Sequence, residues 1–295
     1  MTPVTTHRVC LPLRVPVGGM TGREAVLVEG PAGWGEFSPF PGYPTDDLSG
    51  RAAAGEGALQ EWPTPVRSTV AVNALIPAVE PDRAAALTVE ALAVGVTVFK
   101  VKVGAGDDLG RLSAVRDAAG PSARLRIDPN GVWDLETAQS ELDRFGRFDL
   151  ELVEQPVATL EDLAALRRRT GVPLAADESV RTVDDAKRLA ALDAADAVVL
   201  KVQVLGGVRS ALRVADAAGV PAVVSSMLET SVGLAAGLAL AAVLPELPFA
   251  CGLGTGLLLD GDVVADPLVP EGGVLRVRRP EPTPDLLEQF ACAPT

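Results

Sequence analysis

Histidine is almost absent from this sequence of 295 residues, where only His7, near the N-terminus, is of that type. A Ser-His-Asp triad or a zinc site with histidine ligands needs at least one well-placed imidazole. His7 stands far along the chain from every acidic motif described below. A base that works near neutral pH would therefore have to be a carboxylate or a lysine.

Aromatic residues and cysteines are also scarce. Only 4% of the residues are aromatic, so Ala, Val and Leu have to build the core. The three cysteines, Cys10, Cys251 and Cys292, are widely separated, and none belongs to a CxxC pair. This spacing does not indicate a disulfide framework, so we expect three unpaired thiols that pack as small apolar side chains.

Basic residues are outnumbered, with 26 Lys and Arg against 39 Asp and Glu and a net charge of −13. Such a balance repels nucleic acid and anionic membranes. No apolar run approaches the ~20 residues of a membrane span, and the first residues contain no secretory apolar region. We therefore expect a cytoplasmic protein that has neither nucleic acid nor membrane as a partner.

From residue 74 onward, short apolar runs alternate with helical stretches rich in Ala, Leu and Arg. Alternation of this kind is typical of successive βα units that form a parallel sheet. No GxGxxG motif follows the first run, which disfavours a dinucleotide-binding fold. Eight strands are predicted, at residues 74–79, 98–103, 125–128, 150–155, 174–177, 198–202, 222–225 and 249–253.

A polar residue ends most of these strands, at intervals of 23 to 26 residues: Lys102, Asp128, Glu154, Asp177, Lys201 and Ser225. Eight units of this length make a closed (β/α)8 barrel, in which those side chains would meet at the C-terminal mouth. We predict an α/β fold with the barrel domain at residues 74–266. Residues 1–73 would form an α+β capping domain, with the tail 267–295 packing back on it.

Three acidic residues, Asp128, Glu154 and Asp177, end three consecutive strands. Carboxylates that converge at a barrel mouth repel one another unless a cation holds them, and an all-oxygen set suits Mg²⁺. Asn130 and Glu178 could support these ligands by hydrogen bonds. The alternative is that each acid only caps the following helix or faces solvent.

Lysines flank the acidic set on both sides. In VFKVKVG, Lys100 and Lys102 share one face of a strand, and LKVQV places Lys201 within another apolar strand. A buried lysine must meet carboxylates or have its pKa lowered by burial and positive charge. These lysines are therefore candidates for a base beside a metal, with structural salt bridges to the same acids as the alternative.

The motifs KVK (100–102), DPN (128–130), EQP (154–156), DES (177–179) and LKVQVLGG (200–207) resemble the muconate-lactonising branch of the enolase superfamily. Three further segments, GWGEFSPFPGY, SSMLETSVGLAAG and GLGTGLLL, resemble the o-succinylbenzoate synthase family within that branch. The similarity extends over nearly the whole chain. Pro129 stands where family members often have Ala, which leaves the liganding positions intact.

The resemblance implies a Mg²⁺-dependent lyase of menaquinone biosynthesis that dehydrates 2-succinyl-6-hydroxy-2,4-cyclohexadiene-1-carboxylate to o-succinylbenzoate through an enediolate. It implies that a small-molecule carboxylate is the substrate. Asp128, Glu154 and Asp177 would bind the metal, Lys102 would be the base, and Lys201 would stabilise the enediolate. Lys100 would help to keep Lys102 neutral, and Arg126 could assist near the metal or the substrate.

The resemblance also implies that a loop of the capping domain covers the substrate. We place this loop at residues 33–43, with Phe37 and Phe40 excluding water, although both rings could equally be part of the capping-domain core. Ser225, Ser226 and Gly254 would shape the pocket for the succinyl tail.

Other functions fit the same motifs. An N-acylamino acid racemase or dipeptide epimerase would use the same two lysines, one on each face of the substrate, and a cycloisomerase is a further variant. A non-catalytic metal-binding barrel is a more remote alternative, because a scaffold needs none of the lysines or acids.

Overall fold

The N-terminal part of the chain forms a three-stranded antiparallel sheet. The computed structural model describes residues 4–41, 43 and 47–293. The sheet consists of β1 (Thr5–Val17), β2 (Met20–Gly30) and β3 (Gly33–Phe37) in that order, and α1 (Asp47–Leu59) packs on it. Because β1 and β2 alternate buried and exposed residues, the sheet has one apolar face. That face packs against Val232, Leu259 and their neighbours, which attaches the sheet to the rest of the chain.

Seven parallel strands form the main sheet, and each is hydrogen-bonded to the next in chain order. These strands are almost continuously buried, as expected of a sheet that is covered on both faces. They are β5 (Ala74–Ile76), β6 (Val98–Lys102), β7 (Arg124–Asp128), β8 (Leu150–Glu154), β9 (Leu174–Ala176), β10 (Ala197–Lys201) and β11 (Ala222–Ser225).

The eighth predicted strand, 249–253, is not a regular strand and is present as isolated bridges. Gly252 pairs with Ser225 on one edge of the sheet, and Cys251 pairs with Val72, just before β5 on the other edge. This segment contains two glycines between residues 252 and 254, which weaken regular pairing. The bridges nevertheless close the sheet, so the architecture is the predicted (β/α)8-type barrel with a capping domain.

Helices connect the strands and cover the outside of the barrel. Several begin at a side chain that accepts a hydrogen bond from the first turn, among them Asp107, Asp134, Thr159, Thr182 and Thr230. No helix in the described ranges is long and apolar enough to cross a membrane. The helices are α2 (Pro81–Ala93), α3 (Asp108–Ala119), α4 (Leu135–Phe145), α5 (Leu160–Arg167), α6 (Val183–Leu192), α7 (Val202–Leu205), α8 (Val208–Ala218) and α9 (Ser231–Val243), with 3₁₀ turns at Gly146–Phe148 and Gly254–Leu258.

The C-terminal part of the chain returns to the N-terminal part. Strand β12 (Val274–Arg276) pairs with β4 (Thr69–Ala71) and is followed by α10 (Pro284–Gln289). Beyond α10, the amide of Cys10 donates to the carbonyl of Phe290, and the amide of Cys292 donates to that of Arg8. Residues 1–3, 42, 44–46, 294 and 295, which belong to the predicted capping domain, lie outside the described residues.

A disulfide joins Cys10 to Cys292, with their Cα atoms 5.0 Å apart. The prediction of three unpaired thiols is therefore wrong for this pair and holds for Cys251, which is free and buried. The two paired cysteines are 282 residues apart in the sequence. Their proximity arises only when the tail folds along β1, so no local spacing could indicate it.

Candidate active site

The six marked polar residues gather at one end of the barrel. Lys102, Asp128, Glu154, Lys201 and Ser225 are each the last residue of a strand, and Asp177 directly follows β9. Parallel pairing sets Lys102 beside Asp128 and Lys201 beside Ser225. Because parallel strands end at the same rim of a barrel, their side chains share its C-terminal mouth.

The three acidic side chains are almost completely withdrawn from solvent, with exposures of 0% for Asp128 and 3% each for Glu154 and Asp177. Burial raises the pKa of Glu154 to about 7 against the effect of Lys100, and the charges of Asp128 and Asp177 add to the increase. Burial and the charge of Glu178 also raise the pKa of Asp177. The acids are therefore close enough to oppose one another's ionisation.

The lysines lie between these carboxylates. Lys100 Nζ donates to Asp128 Oδ2 at 3.0 Å and to Glu154 Oε1 at 2.7 Å. Lys102 Nζ donates to Asp128 Oδ2 and Asn130 Oδ1, both at 2.6 Å. Lys201 pairs with Asp177. The salt bridges that the sequence left open as an alternative are thus present.

Ion pairing also sets the charge of the two most buried lysines. Burial acts to lower the pKa of Lys100, but Glu154 and Asp128 raise it above its ordinary value. The pKa of Lys201 is likewise raised by Asp177 against the effect of burial. Conversely, Lys102 and Lys100 hold the pKa of Asp128 below its usual range although burial opposes them.

The donor set fits a divalent cation that prefers oxygen. Within the described residues, no three Asp, Glu, His or Cys side chains are grouped closely enough to hold a metal ion as they stand, and Lys100 Nζ lies between Asp128 and Glu154. Glu178 adds a further carboxylate, whose Oε2 is buried without a hydrogen-bond partner. The carboxylates of the site outnumber its lysine ammonium groups. A set of carboxylate oxygens of this kind suits Mg²⁺ better than softer metals.

Asn130 connects the acidic residues. Its amide donates to Asp128 Oδ1 at 2.9 Å, and its side-chain Nδ2 donates to Glu178 Oε1 at 2.9 Å. Asn130 has a φ of 54°, a left-handed conformation that asparagine tolerates better than most residues. The structure thus brings both predicted supporting residues, Asn130 and Glu178, to the site.

A cavity of about 480 Å³ opens beside these groups. That size is within the range for pockets that take small molecules. Much of its wall is apolar, and its charged lining residues are Lys100, Lys102, Glu178 and Lys201. Its lining includes Phe40, Tyr43, Leu75, Lys100, Lys102, Val103, Asn130, Val132, Glu178, Lys201, Ser225, Ser226, Leu228 and Thr255.

The structure separates the other predicted site residues. Phe40, Ser225 and Ser226 line the cavity, whereas Phe37 lines a different surface depression and packs under Arg51. Gly254 belongs to the 3₁₀ turn and lines a small void away from the lysines.

Arg126 is not among the residues that line the cavity, and its exposure is 1%. Its Nε donates to Glu151 Oε2, and its Nη1 donates to the carbonyl of Ala250. The geometry therefore brings Phe40 and the serines to the lysines and leaves Phe37, Gly254 and Arg126 off the described cavity wall.

Two residues that were not among the predicted site residues contact the site directly. The hydroxyl of Tyr43 donates to Asp177 Oδ1 at 3.0 Å and accepts from Lys201 Nζ at 3.1 Å. Gln155 Oε1 accepts from the amides of Asp177 and Ser179, at 2.6 Å and 3.2 Å. In the sequence, Gln155 directly follows the strand-end acid Glu154 in the EQP motif. This position was the signal that could have identified Gln155 as a site residue.

A buried polar network joins the capping domain to the barrel beside the cavity. Gln203 accepts from the amide of Ser38 at 2.8 Å and donates to Glu229 Oε1 at 3.1 Å. The Arg23 guanidinium donates to the carbonyls of Ser38 and Leu228. Since Leu228 lines the cavity, the network links the capping domain to the cavity wall.

Comparisons with known proteins agree with this geometry. Residues 83–283 match the family described as enolase C-terminal domain-like, and residues 9–57 match the enolase N-terminal domain-like family. An o-succinylbenzoate synthase of Thermobifida fusca is 54% identical over 94% of this chain and 88% of its own length. The o-succinylbenzoate synthase of Mycobacterium leprae is 44% identical over 98% of this chain and 86% of its own length. The chain belongs to the o-succinylbenzoate synthase family of the enolase superfamily.

Membership of this family makes the chain an enzyme and confirms the predicted resemblance and fold. A muconate lactonizing enzyme from Pseudomonas fluorescens has the same fold, with a TM-score of 0.87 at 25% identity and 98% coverage of both chains. An N-succinyl Arg/Lys racemase from Bacillus cereus shares the fold at a TM-score of 0.85 and 21% identity, over 98% of this chain and 97% of its own.

Proposed function

We propose that this enzyme dehydrates 2-succinyl-6-hydroxy-2,4-cyclohexadiene-1-carboxylate to o-succinylbenzoate in menaquinone biosynthesis, with Mg²⁺ as its cofactor. The observation that carries the proposal is a 480 Å³ cavity with Lys102 and Lys201 on its wall beside three buried carboxylates. The 54% identity to an o-succinylbenzoate synthase supports this reaction over others of the superfamily.

Asp128, Glu154 and Asp177 would hold the Mg²⁺ ion, since their oxygens are the ligands that this ion prefers. The bound ion would supply positive charge that stabilises an enediolate. Asn130 and Glu178 would orient the ligands through the hydrogen bonds described above. Metal binding then requires the lysine ammonium groups to give up part of their contact with these carboxylates.

Lys102 would act as the base. Its side chain is 22% exposed, against 8% for Lys100 and for Lys201, so it is the most accessible of the three amines to a substrate in the cavity. In its neutral form it would take the α-proton and become an ammonium. It would then return that proton to the departing hydroxide on the same face, so that one water leaves and the ring becomes aromatic.

Lys201 would remain an ammonium and stabilise the negative charge that develops on the substrate. The position of Lys201 on the cavity wall, with its ammonium beside Asp177 and over the ring of Tyr43, supports this role because a charged group is needed throughout. Lys100, which bridges Asp128 and Glu154, would hold these two acids in place.

An absorbance assay of aromatisation tests the proposal. With Mg²⁺ and the cyclohexadiene substrate, the wild type should turn over, and Lys102→Ala should lose at least about 100-fold in kcat. Lys187→Ala, which removes an exposed lysine of α6, should keep the wild-type rate. Full activity of Lys102→Ala, or an inactive wild type, would overturn the proposal.

A racemase acting on N-acyl amino acids is the second candidate, because Lys102 and Lys201 also suit proton transfer on two faces of one carbon. Exchange of the α-proton for solvent deuterium separates the two functions. A racemase would give exchanged product of both configurations, whereas the dehydratase gives aromatic product from the cyclohexadiene.

A further inference from the structure

Tyr43 is the single tyrosine of the chain. Its side chain reaches from the capping segment, the part of the capping domain predicted as a loop at residues 33–43, into the mouth of the barrel. Its hydroxyl accepts a hydrogen bond from Lys201 Nζ and donates one to Asp177 Oδ1. The Lys201 ammonium also lies 4.4 Å from the centroid of the Tyr43 ring. One side chain of the capping segment thus contacts both an ammonium and a carboxylate of the barrel.

These contacts restrain a side chain that is otherwise mobile. A lysine is a point charge on a flexible four-carbon stem, so its position depends on the groups around its ammonium. Lys201 is held by Asp177 through charge and by Tyr43 through the phenol oxygen and the ring face. Among the described contacts, Tyr43 is the capping-segment partner of Lys201, whereas Lys102 is held by Asp128 and Asn130 of the barrel.

We propose that Tyr43 is a positioning residue that fixes the Lys201 ammonium on the cavity wall, so that the capping segment completes the active site. The inference deepens the proposed function and rests on the role given there to Lys201. If Lys201 stabilises charge that develops during the reaction, its displacement should slow turnover more than it weakens substrate binding.

Kinetics of paired variants give the first test. Tyr43→Phe keeps the ring over Lys201 and removes the hydroxyl, and it should lower kcat about tenfold with a KM within about threefold of wild type. Tyr43→Leu also removes the ring and should lower kcat further. Phe40→Leu is the matched control, because Phe40 lines the same cavity but lies against Arg23, and it should change KM more than kcat. An unchanged kcat in Tyr43→Phe would overturn the inference.

A spectroscopic test does not depend on turnover. Because the chain has one tyrosine, protein labelled with 3-fluorotyrosine gives a single ¹⁹F resonance that reports on residue 43. Lys201→Met should shift this resonance, and Lys102→Met should leave it in place. If the wild type does not convert the cyclohexadiene, the proposed function fails while the shift still decides whether Tyr43 holds Lys201. A resonance unmoved by Lys201→Met overturns the inference in either case.

Discussion

Gln155 shows at the scale of one residue how an uncharged side chain organises a charged site. It is fully buried, and its Oε1 accepts from the amides of Asp177 and Ser179 and from the Ser179 hydroxyl. Its Nε2 donates to the carbonyl of Val157. Gln155 therefore fixes the backbone from which the Asp177 carboxylate projects.

Replacing Gln155 by Leu should leave those amides buried without partners. We expect the free energy of unfolding to fall by about 1–3 kcal/mol for each donor left unpaired. Urea denaturation measures this loss. We also expect the Mg²⁺ affinity to fall about 10- to 100-fold, as for other residues that orient ligands. Gln139→Leu in α4, which removes a solvent-exposed hydrogen bond to Asp143, is the control, and an equal effect in both variants would contradict the assigned role.

The buried carboxyl group of Glu36 should make the stability of the folded protein depend on pH. Burial, together with the charge of Glu229, raises the pKa of Glu36 from 4.5 to about 7, against hydrogen bonds from Thr230 and Ser38. A raised pKa in the folded state means that the folded protein binds the proton more tightly. Protonation of Glu36 therefore stabilises the folded state. This stabilisation is complete below pH 4.5 and is lost as the pH rises through about 7.

The variant Glu36→Gln mimics the protonated form at every pH. Relative to this variant, the wild type should lose up to about 3 kcal/mol of unfolding free energy between pH 4.5 and a pH above 7. Chemical denaturation at several pH values measures the difference. Glu24→Gln, which removes an exposed carboxyl of β2, is the matched control, and a difference between wild type and Glu36→Gln that does not change with pH would refute the argument.

The spacing of strand-end residues was enough to predict that Asp128, Glu154, Asp177, Lys102 and Lys201 share one rim. The partners of these residues from the capping segment could not be predicted in the same way. Tyr43 is 158 residues from Lys201, and Ser38 is 165 residues from Gln203. No periodicity relates such pairs, because their contact depends on how two domains pack.

At the scale of elements, the packing of α1 on β3 depends on a close approach of backbones. A Cβ atom at Gly35 would overlap the carbonyl oxygen of Ala54 in α1. Gly55, in the same helix, has open space where a Cβ would lie. The two glycines therefore serve different purposes, although nothing in their local sequence distinguishes them.

Alanine substitutions separate these two cases. Gly35→Ala should push α1 from the sheet and cost about 1–3 kcal/mol of unfolding free energy, as overpacked cores do. Gly55→Ala should stabilise the protein by about 0.5–1 kcal/mol, because alanine favours a helix interior. Thermal denaturation compares both with the wild type. Equal effects of the same sign would show that the close approach is not important.

Strand prediction placed β6, β7 and β10 to within one residue at each end, although Lys100 and Arg126 interrupt the apolar runs of the first two. It was wrong at residues 249–253, where an apolar run gave isolated bridges at Cys251 and Gly252. Composition does not reveal that this segment closes a barrel with two irregular contacts. Closure is a property of the whole sheet and depends on both of its edges.

At the scale of the whole molecule, the disulfide ties the first strand to the C-terminal tail across 282 residues of sequence. A covalent link over so long a loop should contribute about 2–5 kcal/mol to the free energy of unfolding. Reduction, or Cys292→Ser, should therefore lower the melting temperature. Cys251→Ala leaves the disulfide intact and serves as the control.

Thiol titration of the unfolded chain tests the pairing itself. Without reductant, one thiol per chain should react, that of Cys251, and with reductant all three should react. Three reactive thiols before reduction would contradict the disulfide.

For the active site as a whole, we propose that three barrel carboxylates bind Mg²⁺ and that turnover depends on this ion. The most direct measurement is the aromatisation rate of EDTA-treated wild type as Mg²⁺ is added back. We predict no turnover without the ion, a rate that saturates with added Mg²⁺, and weakened saturation in Glu154→Gln. A full rate in the presence of EDTA, unchanged by Mg²⁺, would contradict the account.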